Sequence, residues 1–268
     1  MKWFDYLMDS CRDSLELSTK NLKLYLPNII AMIITGVLIF ILFIASIIFG
    51  ATTLFKGNID SMNVEGVLKS LIPLIIVFLV IIGIILPILY CMVEAGILLM
   101  CKRITVSGNA NFTDFFQGLK MYWYQVLIGL SIVGLIPIIL FIPAFILLLF
   151  ADILTLGYGF ISGWAIFNVF FGTWGAIMVV DEISAWEAIK KGYGFGKKNF
   201  WILFFIFFSA TPIIGITSVL LKAIPLAGMI FAPIGVIIIN TYFRLVLVKY
   251  YYEVSKGDEV LIEPANNY

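Results

Sequence analysis

Charged residues divide this chain into long apolar runs, and those runs limit its fold more than any other feature. No charge falls between Lys23 and Lys56, and between Lys69 and Lys102 there is only Glu94. Lys120 to Asp152, Asp152 to Asp181 and Lys198 to Lys222 enclose three further uncharged runs. A last run begins near Pro225 and continues to about Val248, with Arg244 near its end. A bilayer's hydrocarbon core is about 30 Å thick and a helix rises about 1.5 Å per residue, so about 20 apolar residues cross it. Backbone groups inside that core must be satisfied within the segment, which restricts such runs to helices. The chain therefore reads as an all-α, polytopic integral membrane bundle of six transmembrane helices. The third is the least regular, because Pro137 and Pro143 could break it; one kinked helix is the simpler expectation. Composition agrees. Hydrophobic residues make up 62% of the 268 and charged residues 12%, about half the usual charged share of a soluble domain.

Lysine and arginine set the expected orientation. Of the 17, all but Lys56, Lys69 and Lys222 fall on one side. That side is predicted to be cytoplasmic, with both termini inside and the protein in the plasma membrane. The amino-terminal segment carries Asp5, Asp9, Arg12, Asp13 and Glu16, so it does not read as a signal peptide.

The segments on the basic side have helical periodicity of their own. Trp3, Phe4, Leu7, Met8, Cys11 and Leu15 share one face, as do Phe112, Phe115, Phe116, Leu119, Tyr122 and Trp123. A weaker case is Ile183, Trp186, Ile189 and Tyr193, where Ser184 and Glu187 have capping-box spacing. Each looks like an interfacial amphipathic helix that precedes a pair of spans. The predicted layout is one membrane domain with three repeats. An interfacial helix at 1–23 precedes a hairpin at 27–101; one at 111–120 precedes 121–180; a segment at 183–198 precedes 199–250; and 251–268 is a cytoplasmic tail.

Several segments resemble a known group. These are Val179-Val180-Asp181-Glu182, Trp186-Glu187-Ala188-Ile189-Lys190-Lys191, Lys197-Lys198-Asn199-Phe200-Trp201 and Phe112-Thr113-Asp114-Phe115-Phe116-Gln117-Gly118. The chain is similar to the six-helix membrane domain fused to some glycerophosphoryl diester phosphodiesterases, and to related stand-alone prokaryotic membrane proteins. In the diesterases the chemistry resides in a separate barrel, so the resemblance implies a membrane module without catalysis.

The candidate sites are few. Glu94 lies about 12 Å inside the border marked by Lys102, at about 1.5 Å per residue. A charge near mid-span costs on the order of 3 kcal/mol on insertion scales, so Glu94 should face the bundle interior, be protonated or pair. Asn240 and Arg244, one turn apart on the sixth span, lie at similar depth. The three form either a gated polar pocket or, more simply, a polar clasp between the second and sixth helices. Asn168, near the middle of the fourth span, either lines a path or bonds a neighbouring helix. Gly159, Gly163, Gly172 and Gly175 suit close helix packing. Gly192, Gly194 and Gly196, with Lys197 and Lys198, form either a phosphate nest or a flexible joint whose lysines face anionic lipid. Lys190 and Lys191 belong to the same border. Asp181 and Glu182 are too few for a calcium site and are read as cap and ion-pair residues.

The chain has no histidine and three cysteines without paired spacing. Serine–histidine and zinc–histidine chemistry are therefore excluded within it, and no metal site or cofactor is expected. Its net charge of +1 lacks the concentrated basic face of a nucleic-acid binder. The bilayer is the expected partner, with anionic lipid at the lysines. The expected function is a non-enzymatic membrane module that organises partner proteins or lipids. The alternative is a transporter or flippase for an amphipathic substrate, which a cavity reaching Glu94 would favour.

Overall fold

The computed structural model describes residues 2–56, 72, 76, 80–148, 153–222 and 227–262. Among these the fold is all helix. α1 (Lys2–Lys20) leads through a tight turn at Leu22–Leu24 into α2 (Leu26–Lys56). A π-helical turn at Ile81–Ile85 opens into α3 (Leu86–Ser107), followed by α4 (Phe112–Leu148), α5 (Ile153–Phe171) and α6 (Trp174–Asp181). Then come α7 (Ala185–Lys198), α8 (Phe200–Lys222) and α9 (Ala227–Ile262). Six helical stretches among the described residues are long and apolar enough to cross a membrane, with α5 and α6 sharing the fourth. The protein is thus the expected polytopic helical bundle.

Its elements differ from the sequence reading in four places. Residues 111–120 are not a separate helix: α4 starts at Phe112 and runs unbroken past Pro137 and Pro143 to Leu148. Gly118 does not interrupt it, because Gly118 serves a contact. A Cβ there would lie 2.7 Å from the Ala95 carbonyl oxygen, and one on Gly96 would lie 2.2 Å from the Phe115 ring. These two glycines let α3 and α4 cross nearly backbone to backbone. The fourth span, expected as one helix, breaks at Gly172 and Thr173. There the Gly172 amide donates to the Asn168 carbonyl at 2.7 Å, and a Cβ on Gly172 would meet the Phe207 ring at 2.7 Å.

The third difference is at the glycine triplet, which is neither nest nor joint but lies inside α7. A Cβ on Gly196 would lie 2.3 Å from the Val169 carbonyl oxygen of α5. Gly192 packs on the same helix pair beside Thr173, whereas Gly194 faces open space. Last, the segment expected as a tail continues α9 as far as Ile262. The connection expected between Lys56 and Lys69 lies outside the described residues, as do the surroundings of Gly159.

Capping follows ordinary chemistry. Ser184 and Glu187 form a reciprocal capping box at the start of α7, and the Ala185 amide donates to Gln125 Oε1 at 3.0 Å. α3 ends on Gly108 in the left-handed region at φ 75°, the conformation that costs glycine least.

The core is concentrated at the end of the bundle that carries Lys102, Asp181 and Lys249, hereafter the basic end. Ile97, Met100, Ile104, Ile177, Met178, Leu245, Val248, Tyr250 and Tyr251 are all almost fully buried there. Toward the other end, Ile82 and Ile84 of the π-helical turn, Leu135 of α4, Ile216, Val219 and Leu220 of α8 and Phe231 of α9 are exposed. α1 lies along α9, its buried Ser10, Ser14 and Ser18 giving a small face for close approach. Tyr242 donates to the Cys11 carbonyl at 2.9 Å, and Lys249 donates to Asp13 at 2.9 Å.

Candidate functional site: a polar cavity in the bundle

Glu94 lies one helical turn beyond Tyr90, so both side chains leave α3 on the same face. Arg244 approaches from α9. Glu94 and Arg244 form an ion pair with both side chains mostly buried, and Arg244 also donates to the Tyr90 hydroxyl at 3.0 Å. The sequence reading placed Glu94 and Arg244 together and supplied Asn240 as the third member; in the structure that member is Tyr90. Asn240 lines the cavity beside the pair.

The cavity measures about 450 Å³ and draws its walls from α3, α4, α5, α6, α8 and α9. That is within the range of about 300–1,000 Å³ typical of small-molecule sites. Its polar lining consists of Tyr90, Glu94, Asn168, Thr211, Asn240 and Arg244, and six further rings surround them: Trp164, Phe167, Phe171, Trp174, Phe207 and Phe243. Tyr90, Trp164 and Asn240 on its wall are exposed, so it communicates with the outside of the bundle. The helix break contributes directly. Gly172, Trp174, Gly175 and Ala176 form part of the wall, and the first turn of a helix has amides with no carbonyl partner inside that helix.

Asn168 was expected either to line a path or to bond a neighbouring helix. It lines the cavity, while its Nδ2 donates to the Trp164 carbonyl of its own helix at 2.8 Å. Gly163 has open space around it and makes no tight crossing, whereas Gly175 approaches Leu98.

The border residues do not join this site. Asp181 accepts from Tyr251 at 2.5 Å and pairs with Lys191 at 2.6 Å. Its neighbour Glu182 turns the other way, to Lys102 at 2.8 Å. Lys102 also donates to the Val179 carbonyl at 2.8 Å, closing the end of α6. The two acids therefore point to different partners, and Glu182 ends α6 in the left-handed region at φ 57°. The hydrogen bond from Lys102, and then its charge, hold the Glu182 carboxyl below its usual range. Lys190 sits over the Trp186 ring at 4.9 Å, and Lys197 and Lys198 are exposed on α7. Among the described residues no group of three His, Cys, Asp or Glu side chains could hold a metal ion.

Sequence reasoning missed Tyr90 and Thr211. The one available signal for Tyr90 was its one-turn spacing from Glu94. It also missed Lys249, which is buried at the basic end and reaches Asp13 and Glu253. No family model matches the chain, and neither a curated protein nor a solved structure does.

Proposed function

We propose that this protein takes up an amphipathic, lipid-like molecule in the cavity and moves it between leaflets without altering it chemically. It would do so in the plasma membrane, with both termini in the cytoplasm as the lysine and arginine bias indicates. The observation that carries this reading is a cavity, open to the bundle exterior, that pairs an intramembrane ion pair with a wall of aromatic rings. A purely structural clasp needs no empty space beside it. Ionisable residues inside a membrane mark a functional site by default when they face a cavity. A broken helix in that wall is a further support, since irregular backbone at membrane depth is tolerated where it lines a cavity.

The organising-module reading, first choice on sequence alone, has one observation in its favour. α7 buries Ala185, Ala188, Ile189, Gly192 and Gly196 while exposing Trp186, Lys190, Tyr193 and Lys197. That face suits an anionic membrane surface, and it is compatible with transport.

The test is exchange of a tail-labelled fluorescent phospholipid between leaflets of reconstituted vesicles, read by dithionite quenching of the outer leaflet. Gly134 lines the cavity with nothing within 4 Å of an added Cβ, so Gly134→Leu adds bulk at the wall where the first side-chain carbon meets open space. Wild type is expected to accelerate exchange and Gly134→Leu to reduce that acceleration by about tenfold or more, a loss of about 1.4 kcal/mol. Equal rates in the two, with both folded, would rule the cavity out as the path.

A further inference from the structure

Resting on the reading of the cavity as an amphipath site, we infer that its occupant carries a zwitterionic headgroup. An acidic phosphate or carboxylate engages Arg244, and an ammonium engages Glu94. The titratable groups on the wall are Tyr90 and Glu94 from α3 and Arg244 from α9; α4, α5, α6 and α8 contribute none. The site thus offers one positive and one negative charge, already paired. With both side chains mostly buried, an uncompensated charge here keeps most of its desolvation penalty. A neutral headgroup would leave the pair intact and gain nothing from it. An anionic headgroup on Arg244 would strand the Glu94 carboxylate, and a cationic one on Glu94 would strand the guanidinium. A zwitterion replaces one ion pair by two and leaves the total charge at zero. No proton needs to enter or leave.

The remaining lining fits the two halves. The six aromatic rings of the wall offer faces that attract an ammonium. Arg244 donates to Tyr90 at 3.0 Å, which keeps the guanidinium in place when the Glu94 carboxylate swings to its new partner. Tyr90 is in this sense a positioning residue. The volume of about 450 Å³ suits a headgroup and the first carbons of its tails, and the exposed Tyr90 and Trp164 on its wall are where the tails would pass into lipid.

The experiment is native mass spectrometry of the full chain in detergent, titrated with four lipids of identical tails. These are phosphatidylethanolamine, phosphatidylglycerol, a diacyl trimethylammonium-propane and a diacylglycerol; the fifth ligand is water-soluble glycerophosphoethanolamine. Wild type is expected to bind phosphatidylethanolamine at least about tenfold tighter than the anionic, cationic and neutral lipids, because a like-charge or unpaired group in a buried site costs that much or more. The soluble headgroup is expected to bind far more weakly than its lipid; equal binding would overturn a lipid as the source. Glu94→Gln should move the preference to phosphatidylglycerol, and Arg244→Gln should move it to the cationic lipid. The charge-neutral Glu94→Gln with Arg244→Gln should bind all four lipids about equally, which keeps the test open where either single variant fails to fold. Equal binding of the zwitterionic and anionic lipids by wild type would overturn the inference. Preferences unmoved in the variants would do so too, as would proton uptake on phosphatidylglycerol binding that Glu94→Gln abolishes. Binding of none of the four lipids would instead remove the amphipath reading on which the inference rests.

Discussion

The Glu94–Arg244 pair couples stability to function at the level of single side chains. With the side chains 15% and 23% exposed, each charge depends on the other for most of its compensation. Removing one partner should cost more than removing both, since the survivor remains buried and unpaired. Glu94→Gln and Arg244→Gln are each expected to lower stability by about 1–3 kcal/mol, below the 3–5 kcal/mol of a fully buried pair; the double change is expected to lower it less. A thermal-melting double-mutant cycle in detergent measures the difference, and additive losses would mean that the pair is not coupled. Glu182 behaves differently because it is 68% exposed. Its carboxyl is held low by Lys102, so the pair's small contribution is complete above the unfolded carboxylate value of about 4.3. It is lost as pH falls through the depressed folded value. Glu182→Gln should lower the melting temperature slightly at neutrality, and the difference from wild type should shrink away as pH falls below about 4. Of these contacts, the sequence showed that Glu94 needed an interior partner at the depth of Arg244. It gave no sign of Tyr90, because a tyrosine in an apolar run is not distinguishable from one at a membrane border until its neighbours are placed.

The helices meet through glycines that look alike in sequence and differ in structure. Gly196 in α7 has the Val169 carbonyl in the place of a side chain, whereas Gly194, two residues before it, has nothing within 4 Å. Gly196→Ala forces α7 off α5 and should cost about 1–3 kcal/mol or more as overpacking. Gly194→Ala should stabilise by about 0.5–1 kcal/mol, the difference in helix propensity between the two residues. Melting temperatures of the two variants, with Gly118→Ala expected to follow Gly196→Ala, check the distinction. Periodicity and charge spacing were enough to locate the membrane-crossing helices and the capping box at Ser184. They could not separate a glycine at a crossing from one at a hinge, which is why the triplet of α7 read as a joint. They could not show the break at Gly172 either, since the run from Asp152 to Asp181 has no proline and no charge. Its interruption comes from the fit of Gly172 against Phe207, a tertiary contact.

Among the described residues, burial falls from the basic end toward the opposite end, and the cavity opens where packing thins. Orientation in the membrane is the part of the layout that follows from lysine and arginine counting alone. Labelling the natural cysteines is a poor test of it, because Cys91 and Cys101 are buried and burial pushes the Cys11 thiol up. Asn109→Cys, at an exposed position, and Lys222→Cys should report instead. An impermeant maleimide is expected to modify the second in intact cells and the first only after permeabilisation, and the reverse would invert the topology. The contact between α1 and α9 sets an order of events. Tyr242 reaches the Cys11 carbonyl across 231 residues of chain, and Lys249 reaches Asp13 across 236. At about 5–20 residues per second, the ribosome leaves the first helix waiting roughly 10–50 s for the last one. During that interval α1 lacks the helix it lies along, and a chain stopped before α9 never acquires it. The moment at which α1 becomes resistant to protease is therefore a clock for the synthesis of α9.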